Sequence, residues 1–225
     1  MFAVGAVASA CGGSSSAAAN RPSPAADGAR AARLVLRLGD LPAGWVGAPF
    51  RPDPAQGSLD VQLAACLGLP SFRPFQTAQV HSDSFRPAGG GFPRVTSDVT
   101  MFTNDRYPRQ DLAAFEGKEF VSCAAAQYRK LITAAGQPVG AIAVSLLPSE
   151  EVGDPTRVGG FRAHITMSGV ASAPGAPGAP ALQVDVLALV GPRLGATITL
   201  TNAGEAPPAA LEQHLVALEL ARIAG

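Results

Sequence analysis

The chain has 225 residues, of which 47% are hydrophobic, and its 17 basic and 17 acidic residues give a formal net charge of zero. This length suits a folded domain of ordinary size, whose core needs no metal to be stable. The charges are balanced, and no stripe of basic residues runs along the sequence. Because nucleic-acid binding depends on such a stripe, we expect no nucleic-acid partner.

The first residues are typical of a bacterial lipoprotein signal. A short apolar run ends in the small residues Val7–Ala10, Cys11 follows, and a Gly/Ser tract comes next. This pattern predicts a partial signal peptide over residues 1–10, lipidation at Cys11 with acyl chains of the palmitate kind, and a flexible tether over residues 11–31. Residues 1–10 carry no Lys or Arg, so we expect the true start to lie upstream. The alternative is a free Cys11 thiol in a disordered, alanine-rich leader.

Lipidation at Cys11 predicts a location as well as a modification. The apolar run is far too short to cross a bilayer as a helix, so the anchor would be the lipid itself. We therefore expect the protein at the cell membrane, lipid-anchored on the extracytoplasmic face. The domain behind the tether is expected over residues 32–225.

The two remaining cysteines are Cys66 and Cys123. An oxidising compartment outside the cytoplasm would favour a bond between them. Such a bond would close a long loop, which the chain-entropy model values at about 4 kcal/mol. The alternative is two buried free thiols that pack as small hydrophobic side chains.

The first half of the domain alternates short helices with two strands. We predict a helix over residues 32–38 that ends before Pro42, with Trp45 packing the following turn onto the core. Ser58 offers an N-cap for a second short helix that carries Cys66 near its end. Strands follow over about residues 77–85 and over Arg94–Phe102, joined by a Pro/Gly-rich loop.

The second half begins with a helical pattern from Pro108 to about Ile132, on which Cys123 should face inward. Four strands and a last helix beginning near Pro208 come next. The strands are predicted over residues 141–147, 161–168, 182–190 and 194–201. Short turns between successive strands favour an α+β fold, with an antiparallel sheet of about six strands and helices packed against it. The Gly/Ala/Pro repeat at 174–180 is expected to be a loop inserted between strands.

No standard catalytic motif occurs, and the three histidines lie far apart in the sequence. His81 and Asp83 would share one face of a strand, which could orient the imidazole for base catalysis beside a serine. The alternative is an ordinary exposed pair. His164, beside Arg162 on a polar strand face, and His214 on the last helix are expected to be solvated. We therefore expect no catalytic residues.

The sequence supports neither a metal nor a cofactor. Zinc would need three or four converging ligands, and the histidines are too sparse to supply them. Glu150, Glu151 and Asp154 are close together but lack the alternating spacing of a calcium loop. Leu187 and Leu189 occupy positions that strand alternation would make polar, so either a helix covers them or a pocket opens there.

The segment Asp40–Trp45 reads Asp-Leu-Pro-Ala-Gly-Trp, and Cys66 lies in Ala-Ala-Cys-Leu-Gly. These motifs resemble elements of actinobacterial exported lipoproteins. The order of elements over residues 32–223 is similar to the extracellular sensor-type domains of mycobacterial serine/threonine kinases, which have a PsbP-like sandwich. The resemblance implies a Cys66–Cys123 disulfide and a non-catalytic, ligand-binding or accessory role. Those sensor domains carry two disulfides, whereas this chain can form one and has no kinase domain.

The sequence thus favours a membrane-anchored extracytoplasmic lipoprotein with a non-catalytic, sensor-like domain. Its partner would be an unknown small molecule, an envelope lipid or a protein. Two alternatives stay open at this point. One is a carrier of envelope lipids with a deep apolar cavity, and the other is a secreted hydrolase that uses His81.

Overall fold

The computed structural model describes residues 23–51, 61–148, 156–167 and 181–225. Four predicted features lie outside the described residues. They are the leader with Cys11, the Ser58 N-cap of the second helix, the acidic segment at 150–154, and the Gly/Ala/Pro repeat at 174–180.

The elements follow the predicted alternation of helices and strands. The helices are α1 (Pro24–Leu34), α2 (residues 61–66), α3 (Arg106–Ala114), α4 (Lys118–Ala134) and α5 (Ala209–Ala224). The strands are β1 (Trp45–Ala48), β2 (Gln76–His81), β3 (Ser84–Pro87), β4 (Arg94–Phe102), β5 (Val139–Leu146), β6 (Val158–Met167), β7 (Ala181–Gly191) and β8 (Leu194–Ala203).

All eight strands form one antiparallel sheet, which confirms the α+β fold class. The order is β1-β3-β4-β8-β7-β6-β5, and β2 also pairs with β4. The sheet has more than the predicted six or so strands for two reasons. The segment Trp45–Ala48 forms a strand of its own, and the strand predicted over 77–85 is interrupted at Ser82 and Asp83. There the Ser82 hydroxyl accepts a hydrogen bond from the Ser97 N–H (2.8 Å) and takes the place of a backbone partner.

The first helix is earlier than the predicted one over 32–38. Helix α1 starts at Pro24, where the Ser23 hydroxyl accepts a bond from the Ala26 N–H, and it ends at Leu34. Alanine is the best helix former, so the alanine-rich composition that suggested a tether also suits a helix. Residues 23–31 therefore belong to the folded domain, although the tether was expected to extend to residue 31.

The single long helix predicted from Pro108 to Ile132 is two helices. Helix α3 ends at Ala114, and α4 begins after Gly117, whose backbone is extended. The break brings the Phe115 and Phe120 rings to 5.9 and 5.1 Å from the Phe161 ring.

Helices cover the two faces of the sheet. Helices α1 and α5 pack on one face against Leu187 and Leu189, which are fully buried. Helices α3 and α4 pack on the other face, against a cluster that includes Phe161 and Ile165. Leu187 and Leu189 therefore belong to a filled core, and Trp45 packs against the same core as predicted. None of the described helices is both long and apolar enough to cross a membrane.

Candidate functional site

Cys66 and Cys123 form a disulfide, with their Cα atoms 5.9 Å apart. The bond joins α2 to α4, the helix that packs on β5. Leu63 and Leu67 flank Cys66 and rest on the apolar cluster around Phe120. The disulfide therefore holds the short helix α2 onto the α3/α4 side of the molecule.

A small pocket opens beside this disulfide. Its volume is about 170 Å³, and its lining residues are Cys66, Leu67, Leu69, Ala114, Gly117 and Glu119. Ligand sites usually enclose about 300–1,000 Å³. This pocket is therefore too small to enclose a lipid chain or a drug-sized ligand.

His81 does not form the predicted strand-face pair with Asp83. His81 is the last residue of β2, and Asp83 lies in the connection to β3. His81 lies at the surface, and one side of its imidazole stacks on the Phe50 ring, with the ring centres 4.2 Å apart. Partial burial of the imidazole lowers its pKa below its usual value. No described serine hydroxyl is hydrogen-bonded to it.

The other two histidines are also separate from His81. His214 Nε2 lies 3.2 Å from the Asp40 carbonyl oxygen and tethers α5 to the turn before β1. His164 is half-buried on β6, directly opposite Gln183 of β7. The structure therefore does not bring the histidines together into one site.

The polar face expected around Arg162 is partly covered by α5. Arg162 donates to both carboxylate oxygens of Asp185, with Nε 2.7 Å from Oδ1, and approaches Glu212 of α5 at 3.5 Å. Asp185 is fully buried and Glu212 is 4% exposed. Helix α5 therefore lies over Arg162 and supplies a second carboxylate to it.

Asp40, the first residue of the Asp-Leu-Pro-Ala-Gly-Trp motif, anchors α5. Its carboxylate accepts bonds from Arg222 at 2.7 and 2.9 Å and from the Arg37 N–H at 2.7 Å. Partial burial by itself would raise the pKa of Asp40, but the bonds from Arg222 and Arg37 lower it below its usual value. The motif thus has a structural role here, since it fixes the turn before β1 to the last helix.

Glu219 is a buried carboxyl without a hydrogen-bond partner among the described residues. It is 1% exposed, and neither carboxylate oxygen accepts a bond. Its nearest cation is Arg222, at 3.9 Å, which already binds Asp40. Burial raises the pKa of Glu219 to about 7; Arg222 opposes this rise and Asp40 adds to it. A group that is neutral near pH 7 avoids most of the cost of burying a charge.

One part of the sheet keeps polar side chains that none of the described helices fully covers. They lie on the α3/α4 side of β4 and β8, and we call them the threonine face: Thr96, Asp98, Thr197, Thr199 and Thr201. Thr96 is directly opposite Thr199, and Asp98 is opposite both Thr197 and His81. All five side chains are half-buried.

The threonine face has a definite chemistry. Each hydroxyl can donate one hydrogen bond and accept others, whereas the apolar sides of β4 and β8 face the core. Its neighbours on β7, Val186 and Ala188, lie directly opposite Thr199 and Thr197. Four hydroxyl groups and the Asp98 carboxylate therefore lie side by side on this face of the sheet.

A metal centre has no support in this geometry. In the ranges that the structure describes, no three His, Cys, Asp or Glu side chains come close enough together to hold an ion.

Comparisons with known proteins give little further information. No family model matches the chain, and no curated protein matches it. The chain is similar to the extracellular domain of PknH from Mycobacterium tuberculosis, at 13% identity and a TM-score of 0.44. The match covers 88% of this chain and 96% of that chain. This similarity is too low to transfer a function to the chain.

Proposed function

We propose that the protein is a membrane-anchored extracytoplasmic lipoprotein whose domain binds a partner without catalysis. The disulfide between α2 and α4 is the observation that carries this proposal. Structural disulfides persist in oxidising compartments and are rare in the cytoplasm. Cys11, in its lipoprotein-like context, would then supply the anchor.

The threonine face is the surface we propose for binding. Its hydroxyls can pair with hydroxyl or amide groups of a partner, which are abundant in envelope polymers and in proteins. The stacked rings of Phe50 and His81 lie at its margin, since His81 is opposite Asp98 in the sheet.

Catalysis by His81 is the weaker alternative. His81 lies at the surface, and its imidazole is stacked on Phe50 rather than hydrogen-bonded to a described serine. A triad requires the base to lie within hydrogen-bond reach of its nucleophile.

Lipid carriage is also less well supported. A carrier needs an apolar cavity between layers, and Leu187 and Leu189 instead fill that space with no exposed surface. The pocket beside the disulfide, at about 170 Å³, is much smaller than an acyl chain needs.

The anchor is tested by labelling. The gene with its upstream sequence is expressed in a bacterial host with a lipoprotein pathway, and the cells receive a palmitate analogue that can be detected after purification. We expect label on the wild type and none on Cys11→Ala. Cys66→Ser is the matched control and should keep the label. An unlabelled, soluble wild-type protein would contradict the anchor.

The binding face is tested by co-sedimentation with purified, insoluble cell-wall material. The double variant Thr197→Val/Thr199→Val removes two hydroxyls but keeps the side-chain shape. We expect it to reduce binding, whereas Ser122→Val on the exposed side of α4 should not. Equal sedimentation of all three proteins would place binding elsewhere or exclude this class of partner.

A further inference from the structure

The two edges of the sheet differ in length and exposure. One edge is formed by β1, a strand of four residues that pairs with β3, and by β2, a strand of six residues that pairs with β4 alone among the described residues. The other is β5, which has eight residues and, among the described residues, pairs with β6 alone. No Pro and no charged residue interrupts Val139–Leu146. Proteins usually protect long edges with such residues, because unpaired backbone groups attract another strand.

The register shows which backbone groups of β5 point away from the sheet. The Leu147 N–H donates to the Gly160 carbonyl at 2.9 Å, so residues 147, 145 and 143 point their backbone groups toward β6. In an antiparallel ladder the alternate residues point the other way. Ile142, Val144 and Leu146 therefore present their N–H and C=O groups at the open edge.

A side chain closes one end of this edge. Arg129 of α4 donates to the Gly140 carbonyl at 3.1 Å. The open ladder is therefore confined to residues 141–146, with Val144 as the middle of the three outward-facing residues.

We propose that the β5 edge pairs with β5 of a second copy of this chain, around a twofold axis at Val144. Antiparallel pairing would place Val144 opposite Val144 of the mate, and Ile142 opposite Leu146 of the mate. All three outward residues then exchange hydrogen bonds, about six in total. The contact is self-complementary, as a twofold interface requires.

The side chains permit this pairing. On one face Ala143 would lie opposite Ser145 of the mate, and both are small and exposed in the single chain. On the other face Ile142, Val144 and Leu146 would meet apolar residues of the mate. No like charges oppose each other within the strand pair.

The expected dimer is weak. A six-residue ladder spans about 20 Å, and stable interfaces usually bury about 1,200–2,000 Å² in total. Association should therefore depend on concentration, and confinement of the chain to a membrane surface would favour it.

Two variants of the 225-residue chain test the proposal. Each carries Cys11→Ser, which prevents acylation, and two substitutions in β5. Both carry Ser145→Glu and differ only at position 143, where one carries Ala143→Lys and the other Ala143→Glu. The twofold pairing places positions 143 and 145 opposite each other across the interface. The first variant should gain attraction there, and the second should gain repulsion.

Sedimentation-velocity ultracentrifugation over a concentration series measures the dissociation constant. We expect the Lys/Glu variant to dimerise at least about tenfold more tightly than the Glu/Glu variant, with the unsubstituted edge between them. Equal thermal unfolding of the variants shows that the fold is intact. Equal association of the two variants, or a chain that stays monomeric near millimolar concentration, would overturn the proposal.

Discussion

The two helical layers hold the sheet by different means. On the α1/α5 side, buried carboxylates join the helices to the strands. On the α3/α4 side, aromatic rings pack the helices onto the strands, and one disulfide links α4 to α2. We therefore expect the stability of the α1/α5 layer to depend on pH, and that of the α3/α4 layer to depend on whether the disulfide is reduced.

The α1/α5 layer contains the buried acidic residues of the described chain. They are Asp27, Asp185, Glu212 and Glu219, each at most 6% exposed. Asp27 binds Thr77 and Arg193, and Asp185 binds Arg162. Removing one partner from such a pair leaves a buried charge, so this layer should be sensitive to single substitutions.

The α3/α4 layer is apolar by comparison. Phe115, Phe120 and Tyr128 all pack on Phe161, with ring centres between 5.1 and 6.1 Å from its ring. The disulfide adds a covalent link from α4 to α2. This layer should tolerate a change of pH but not the loss of its covalent link.

The largest effect is expected in the ion-pair layer. Asp185→Ala removes the bidentate acceptor of Arg162 and should cost about 3–5 kcal/mol in the free energy of unfolding. Urea denaturation at pH 7 measures the loss. The triple variant Asp185→Leu/Arg162→Met/Glu212→Gln, which replaces Arg162 and both carboxylates that it approaches, should recover most of it. A loss below about 1 kcal/mol for the single variant would contradict the contrast between the layers.

Loss of the disulfide should be the next largest effect. The double variant Cys66→Ser/Cys123→Ser should lose about 2–4 kcal/mol of unfolding free energy, because the unfolded chain is no longer constrained. A thiol reductant should destabilise the wild type in the same way and leave the variant unchanged. If the reductant destabilises both proteins equally, the effect does not come from this bond.

Glu219 should give the α1/α5 layer its pH dependence. Its pKa is about 7 in the folded protein and about 4.5 in the unfolded chain. Between these values the unfolded chain has lost the proton and the folded protein has kept it. Stability therefore falls as the pH rises through this window and stays lower above it.

The variant Glu219→Leu should remove this slope. Denaturant unfolding from pH 4.5 to 8 should show the variant about 2–3 kcal/mol more stable than the wild type at pH 8, and little different at pH 4.5. Asp40 acts in the opposite sense: its pKa is lowered, so its contribution is lost only as the pH falls into the acidic range. If the unfolding free energies of the two proteins change with pH in parallel, Glu219 is not the source of the slope.

The smallest expected effect concerns a single hydrogen bond. The Ser97 hydroxyl accepts a bond from the Leu36 N–H at 3.0 Å, which ties the segment after α1 to β4. Ser97→Ala should cost about 1–2 kcal/mol because it leaves a buried N–H unpaired. Ser122→Ala, on the exposed side of α4, should change stability by less than about 0.5 kcal/mol. Equal losses would show that burial of the bond does not matter.

The sequence predicts the strands better than the helix boundaries. Strand β4 has the predicted bounds, since a Pro/Gly-rich loop precedes it and the polar residues 103–105 follow it. Helix α1 was missed because its alanine-rich sequence resembles a tether, and only the Ser23 cap and the buried Asp27 distinguish it. The break at Gly117 depends on how Phe115 and Phe120 pack on Phe161, which lies on a distant strand.

Which residues form the candidate site is even harder to predict from the sequence than the helix boundaries, because it depends on tertiary contacts. Strand alternation predicts that Thr197 and Thr199 share a polar face, but not that helices leave this face partly open. A signal for Glu212 and Glu219 was present: their seven-residue spacing places them on the same side of α5 as Leu215 and Ile223. The pairing of Asp40 with Arg222 joins opposite ends of the chain and leaves no local pattern.

Mass spectrometry of the protein purified from the membrane of its native host tests the central claim most directly. Without reduction, we expect a Cys66–Cys123 linked peptide together with an amino-terminal peptide that begins at a diacylglyceryl-modified Cys11. A chain with an unmodified Cys11 and free thiols at Cys66 and Cys123 would contradict the assignment to an extracytoplasmic lipoprotein.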